Sequence, residues 1–559
     1  MRIFSLRKIS LLVALILLPS MFLMTTSVEA TEIGEKLLVE KEIVSIKLGD
    51  SEYVLITALN ETGSPESYTV SSTNLYSNVT KLNTSYIEIT AGNDMGVDTI
   101  TITSASGLSE TITARVHDPL ILDDGSGLLI AYTDQFDWWY DDYETGADDD
   151  VSHWMPKKPS NDPKWNDFHF LGGYFKGAKG DGANPDGKDY AIMVKDKNNA
   201  SLLAKPTSYT KVWDDGGSGG YHDGSVWVAN CPSGYVGFGS VPGYFSQGAP
   251  STDVIRCVRE ELTVQGTVGS WIYDDSGSGA SMSYSIWTIE QPDTIASADG
   301  KAFLPTNTFV ASTSFSKDNV NMSYCRLLHI SLPVMESSEE STEPFLTGYH
   351  PFEEFKPRFS KSILLPFTVI KDEGHTVAWK VANSPFYSIA RKEQYSSLGF
   401  YDNRQGSDTV TRTLSYTTGY SKETTDTFSH SYSITIGFEK SFGIVAGGPG
   451  AKLSVSFTTT LQWTNSVATT YSTSQTDSYE LKIPAGKFSE LLQVTGSFIL
   501  KTGQGLYVDE LPMKSSGFKT LEYPPPTKNN DILAPGFTAV SSVFAIGLIV
   551  LATTYTKKR

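Results

Sequence analysis

Residues Trp213 to Trp227 read WDDGGSGGYHDGSVW. Within them, Gly216-Gly217-Ser218-Gly219-Gly220 fits G-x-S-x-G, the turn on which a serine hydrolase exposes its nucleophile. Asp214, Asp215 and Asp223 crowd the same glycines with hard oxygen atoms, as a calcium loop does. Two further stretches superimpose on this one without gaps: YDDYETGADDDVSHW from Tyr140 and YDDSGSGASMSYSIW from Tyr273. The shared pattern is an aromatic, Asp-Asp, two variable residues, Ser/Thr, Gly, Ala/Gly, four variable residues, then Ser-x-Trp.

This recurrence decides between the two chemistries. A nucleophile elbow needs one strained serine between a strand and a helix, with an acid and a histidine elsewhere. Ser218 instead aligns with Thr145 and Ser278, in glycine-rich sequence with no helix following. No catalytic residue is assigned, and the expectation is a protein that is not an enzyme. The stretches read as tight turns between strands. Asp141 and Asp142, Asp214 and Asp215, and Asp274 and Asp275 then cap the turns through backbone amides. With Asp223 these form the candidate ligand-binding turns. Tyr140, Trp154, Trp213, Trp227, Tyr273 and Trp287 are the candidate core of a pseudo-threefold unit. His153 and His222 read as exposed turn residues. Calcium is the one cofactor suggested, since Asp148, Asp149 and Asp150 and the run Gly180 to Asp189 add oxygen ligands without EF-hand spacing; no metal ligand is assigned.

The elements that position these turns are strands. DYAIMVK, DVIRCVR and MSYCRLL recur downstream of the three stretches and complete a repeat of roughly 60 to 75 residues, the signature of an internally repeated architecture. The expected fold is all-β, and the chain of 559 residues is long enough for several domains. Its formal charge of −19, with no basic run in the body, argues against nucleic acid as a partner. Three cysteines, Cys231, Cys257 and Cys325, allow one bridge and an odd thiol, or three buried thiols packing as small apolar groups.

Both ends read as targeting segments. Residues 1–30 carry basic residues, an apolar run and Val28-Glu29-Ala30, a secretory signal for signal peptidase. Thr538 to Thr556 is uncharged, long enough to cross a bilayer, and followed by Lys557, Lys558 and Arg559. Pro535-Gly536-Phe537 directly before it resembles the archaeal PGF-CTERM sorting signal, which implies processing by an archaeosortase and a lipid-held mature protein (segment 535–559). The expected location is the outer face of the cell, anchored at the C-terminus. Sequons at Asn60, Asn78, Asn83, Asn199 and Asn321 suit surface glycosylation.

Between the ends the chain divides into segments. In 31–118, runs such as VLITAL, YIEIT, DTITIT and TITARV alternate with turn signals and indicate an immunoglobulin-like stalk. Segment 119–335 holds the three repeats. Its VWDDGGSGGYHDGSVWVANCPSGYVGFGSV and DVIRCVREELT resemble the Vps-sixty-two-like domain of vacuolar-sorting-associated proteins. That resemblance implies a β-prism-like fold and no catalytic residue. An acidic linker, 336–344, follows.

Segment 345–521 contains long Ser/Thr-rich strands. Around the turn AGGPG, Tyr432, Ile434, Ile436 and Phe438 on one arm, and Leu453, Val455 and Phe457 on the other, alternate with polar residues. Such a hairpin packs on a soluble core or, pooled with others in a closed barrel, crosses a membrane. Glu439 and Lys440 read as lying near the turn. The order of Ser/Thr-rich strand, amphipathic hairpin, Ser/Thr-rich strand and KIPAGK resembles the aerolysin-type and Mtx-type pore-forming proteins over about Thr409 to Gly505. A Pro-rich tether, 522–534, leads to the sorting signal.

Two functions fit these modules. One is a surface-anchored binding or adhesion protein recognising a glycan or lipid. The other is an aerolysin-like protein that forms a homo-oligomer and inserts its hairpin into a target membrane.

Overall fold

A computed structural model describes residues 35–290, 301–331, 333–336, 346, 348–352, 358–370, 372, 374–420, 434–445, 452–463 and 475–524. The signal segment, the sorting signal Pro535, Gly536 and Phe537, most of the acidic linker and Tyr432 lie outside them. No helix among the described residues is long and apolar enough to cross a membrane.

The chain is almost entirely β. Residues 35–118 form a sandwich of two four-stranded sheets. Ser51–Leu59, Tyr86–Ala91, Gly96–Ser104 and Ser109–His117 turn alternate residues inward, so that Val54, Ile56, Ile87, Ile89, Ile100, Ile102 and Ile112 make the core. Period-two patterning gives each strand one apolar face, and two such faces seal against each other. Asp98 pins the turn before Ser77–Lys81. Burial raises its carboxyl pKa, but bonds from Thr73 Oγ1 and from the amides of Leu75, Tyr76 and Ser77 outweigh that and hold it down to about 2.

The repeat domain consists of three antiparallel sheets of three strands each. They are Gln135–Asp141, Ser152–Lys157 and Tyr174–Lys176; Ser208–Asp214, Ser225–Asn230 and Ser240–Gly243; and Thr267–Asp274, Ser285–Glu290 and Phe309–Ser312. The recurring downstream strands Ala191–Asp196, Cys257–Arg259 and Arg326–Ser331 centre three further small sheets. Together these make the threefold β-prism. Cys231 and Cys257 are bonded to each other and Cys325 is a buried free thiol.

The C-terminal domain is elongated. Its seven-stranded sheet includes Phe386–Asp402 and Tyr507–Tyr523, 17 residues each, and Phe488–Lys501 between them. Strands of that length run about 55 Å at about 3.3 Å per residue. The hairpin arms Ile434–Val445 and Lys452–Trp463 belong to a different sheet, joined to the prism strand Lys301–Leu304 through the pair Ala302 and Ile434.

Candidate functional site

The prism turns are built by the same device three times. The pairing register slips just before the leading aromatic, between Trp138 and Tyr140, Lys211 and Trp213, and Trp271 and Tyr273. A bulge re-aims the next side chain, and Tyr140, Trp213 and Tyr273 are all buried at the centre. The twelfth position of the repeat is Val151, Gly224 or Tyr284. The largest of these, Tyr284, is fully buried and lies 4.3 Å from Trp213 between ring centroids. Space for it comes from the smallest: a Cβ on Gly224 would sit 2.3 Å from the Tyr140 ring. The closing tryptophans sit farther out, Trp154 and Trp227 buried and Trp287 half-buried.

The aspartates are occupied by the turns. Asp141, Asp214 and Asp274 accept from the amide two residues on, at Tyr143, Gly216 and Ser276 (3.0–3.2 Å). Asp142 and Asp275 accept from the amides of Val151 (3.2 Å) and Tyr284 (2.8 Å), nine residues on. Gly224 serves Asp215 in the same way, and Asp215 also accepts from Gln247 Nε2 at 3.1 Å. Asp223 is exposed. The hydroxyls at the presumptive nucleophile position are likewise engaged. Thr145, Ser218 and Ser278 accept from the amides of Ala147, Gly220 and Ala280. A cyclic set of backbone bonds then closes the apex: Asp148 to Ser276, Tyr221 to Tyr143, and Ser281 to Gly216, at 2.8–2.9 Å. Among the described residues no group of three or more His, Cys, Asp or Glu side chains is placed to hold a metal ion.

Ser-x-Trp has a direct physical meaning. Trp154, Trp227 and Trp287 each donate Nε1 to the serine two residues before, Ser152, Ser225 and Ser285, at 2.8 Å. Ser225 and Ser285 pass the chain on by donating to the carbonyls of Ser246 and Ser314, both at 2.7 Å. In the second and third repeats the motif thus clamps the following loop to the prism.

One expectation is corrected outright. His153 is not an exposed turn residue: it lies on Ser152–Lys157, fully buried, with Nε2 2.9 Å from the Tyr284 hydroxyl. It occupies the inward position between the Ser and the Trp of the motif, held by Val226 and Ile286 in the other repeats. Burial pushes its pKa down to about 3, so it stays neutral. Burial pushes Asp142 up to about 6, opposed by Val151's amide and by Lys179 at 3.6 Å. His222 is partly buried and pairs through Nδ1 with Asp141 at 2.8 Å.

Sequence reasoning missed a group of exposed aromatics beside these turns. Tyr143, Tyr221, Tyr244 and Phe245 face solvent. They fall at variable positions of the repeat or beyond its end, so the shared pattern contains no trace of them.

The second candidate is the hairpin. Twelve residue pairs run without a slip from Ile434 opposite Trp463 to Val445 opposite Lys452. Partners directly across an antiparallel ladder share a face. One face therefore collects Ile434, Ile436, Phe438, Phe442 and Ile444 with Leu453, Val455, Phe457, Leu461 and Trp463, ten of its twelve residues. Thr459 and Lys440 are the others. Glu439 and Lys440 stand mid-arm rather than near the turn. Glu439, opposite Thr458, belongs to the polar face, and Lys440, opposite Phe457, interrupts the apolar one. The sequon residues Asn78, Asn83, Asn199 and Asn321 are exposed, and Asn60 is half-buried.

Comparison with known proteins adds two domain matches. Residues 135–367 match the family model of vacuolar protein sorting-associated protein 62. Residues 359–508 match that of Insecticidal Crystal Toxin, P42. The chain carries the two in series. No curated protein matches. Among solved structures, GNIP1Aa from Chromobacterium piscinae aligns at 23% identity over 36% of either chain, with a TM-score of 0.29; the match thus spans about a third of that protein's length. Cry35Ab1 aligns at 11% identity over 72% of this chain and 89% of its own, with a TM-score of 0.25.

Proposed function

We propose that this is an exported, surface-anchored, non-enzymatic protein of the toxin type, in which the prism binds a surface glycan and the C-terminal domain inserts its hairpin into the bound membrane. The observation that carries the reading is the hairpin register within a domain that matches a crystal-toxin family model. In lipid, backbone groups must pair within the protein, and strands achieve that only in a closed barrel pooled from several copies. Twelve residues per arm exceed the roughly 9 to 11 that a tilted spanning strand needs. The apolar file from Ile434 to Ile444, broken only at Lys440, suits the lipid side, and the file of Ser, Thr and Gly residues suits a lumen. Lys440 opposes insertion, since a lysine on the lipid face at mid-depth costs about 2–4 kcal/mol.

The signal segment and the PGF-containing tail support export and anchoring, so the protein acts on a touching neighbour cell or after shedding. The same anchor favours the second reading, adhesion without insertion. Dye release from liposomes of archaeal-type and bacterial-type lipids, with the full chain, separates the two. Insertion predicts that Ile436→Asp and Val455→Asp abolish release while membrane binding persists, and that Lys440→Leu increases it. Release unchanged by all three sinks the insertion mechanism; no release on any lipid leaves adhesion.

A further inference from the structure

The exposed aromatics form one connected face at the seam of the first and second repeats. His222 lies at its centre, 4.8 Å from Trp138, 4.8 Å from Tyr221 and 5.9 Å from Phe245 between ring centroids. Trp138 meets Phe245 at 4.9 Å, Phe245 meets Tyr244 at 5.0 Å, and Tyr221 meets Tyr143 at 6.5 Å. Four of these rings are strongly open to solvent: Tyr221 at 72%, Tyr244 at 58%, Tyr143 at 52% and Phe245 at 44%. A contiguous exposed aromatic face on a soluble domain marks an interaction site.

Two observations show that folding does not require it. The same repeat folds elsewhere without three of these rings: Tyr143 corresponds to Gly216 and Ser276, Tyr221 to Asp148 and Ser281, and His222 to Asp149 and Met282, while Trp138 corresponds to Lys211 in the second repeat and to Trp271 in the third. The loop presenting Tyr244 and Phe245 is also held at a cost. Phe245 has φ of 43°, a left-handed conformation that a bulky residue avoids. Three bonds keep it there: Phe245 N to Trp139 O at 3.3 Å, Ser225 Oγ to Ser246 O at 2.7 Å, and Gln247 Nε2 to Asp215 Oδ1 at 3.1 Å. The rings are preorganised by the Ser-x-Trp clamp and the second aspartate of the middle repeat.

We infer that this seam is the glycan site of the prism, taking an uncharged pyranose against Trp138, Tyr221, Tyr244 and Phe245, one per chain. The inference rests on the glycan-binding reading above and assigns its location. A sugar ring offers C–H faces to aromatic rings and hydroxyls to a few fixed polar groups. The seam supplies both: Asp141 holds His222 Nδ1 at 2.8 Å and leaves Nε2 for a ligand hydroxyl, with the rings of Trp138, Tyr221 and Phe245 packed beside the imidazole. Charge selects among occupants. Asp141 and the exposed Glu144 and Asp223 lie in the same turns, within a chain of net charge −19. They disfavour acidic sugars and anionic lipid.

The test is an array of neutral hexose and N-acetylhexosamine oligosaccharides probed with the full chain, alongside phosphatidylcholine vesicles. Tyr221→Ala and Tyr244→Ala remove open rings that the core does not use; Trp271→Ala removes the lone open tryptophan of the third repeat as control. The expected result is binding of at least one neutral glycan, one per chain, lost at least tenfold in the two tyrosine variants and unchanged within twofold in the control. Glycan binding that survives both tyrosine substitutions overturns the location and leaves the glycan-binding reading intact. No binding to any glycan overturns both. Vesicle binding without glycan binding, lost in the tyrosine variants, assigns the face to the membrane and overturns the inference.

Discussion

Replacing the three motif serines by alanine tests whether Ser-x-Trp is a clamp. All three hydroxyls are fully buried and all accept an indole N–H at 2.8 Å, so the chemistry is the same. Their surroundings differ. Ser225 also donates to Ser246 O, and its tryptophan is buried, so Ser225→Ala orphans a donor and an acceptor together. A buried unsatisfied group costs about 1–3 kcal/mol, and the carbonyl of the exposed Ser246 can find water and adds up to about 1 kcal/mol, which puts Ser225→Ala at about 2–4 kcal/mol. Ser285 has the equivalent second bond, but Trp287 is half-buried and its N–H can find water. Among the described residues Ser152 makes only the indole bond with its hydroxyl. Both therefore fall near about 1–2 kcal/mol. Urea unfolding followed by tryptophan fluorescence reads this domain selectively, because eight of the chain's ten tryptophans lie in 119–335. Equal losses at the three sites, or a loss at Ser225 below about 0.5 kcal/mol, would refute the clamp. Ser225→Ala should also weaken glycan binding, because its bond to Ser246 holds the loop of Tyr244 and Phe245.

Two further outcomes follow from the turns. Asp142→Asn keeps an acceptor for the Val151 amide and removes a buried charge. A carboxyl whose folded pKa rises from 3.8 to about 6 costs stability once the pH exceeds 3.8. That penalty, about 3 kcal/mol at most, grows as pH rises from about 4 to 6 and is absent at lower pH. The variant should thus melt higher than the parent at pH 7 and alike near pH 4; calorimetry at the two pH values decides it, and a higher melt at both would show that charge is not the cause. Gly224→Ala should cost more than Gly219→Ala. The first forces a Cβ to 2.3 Å from the Tyr140 ring, an overpacking loss of about 2 kcal/mol or more, whereas the second meets nothing within 4 Å and pays only about 1 kcal/mol for its φ of 72°. The same urea titration ranks them.

Much of the architecture was legible in the sequence because strand periodicity and turn residues are local properties. Alternation marked the stalk strands, and the recurring aromatic, Asp-Asp and Ser-x-Trp marked the prism. The threefold repeat also argued correctly that Ser218 is a turn residue: a hydroxyl that bonds the amide two residues on does so within its own loop. The apolar file of the hairpin was legible for the same reason, but Glu439 and Lys440 were misplaced, because the alternation along one arm does not say where the pairing begins and ends.

What only tertiary structure decided depends on distance across the fold. His153 reads as a turn residue until three sheets close and put the position between Ser and Trp on the axis, where burial keeps it neutral. The complementary sizes of Gly224 and Tyr284 mean nothing until both point at one centre. Tyr143, Tyr221 and Tyr244 are up to 101 positions apart in the chain and share no motif; the bonds from Tyr221 N to Tyr143 O and from Phe245 N to Trp139 O bring their loops together. Sequence by itself determined that this chain repeats a β unit three times and pairs an amphipathic hairpin. Which side chains meet, and therefore where a ligand can sit, was decided by packing, because contacts between repeats depend on geometry that no single strand encodes.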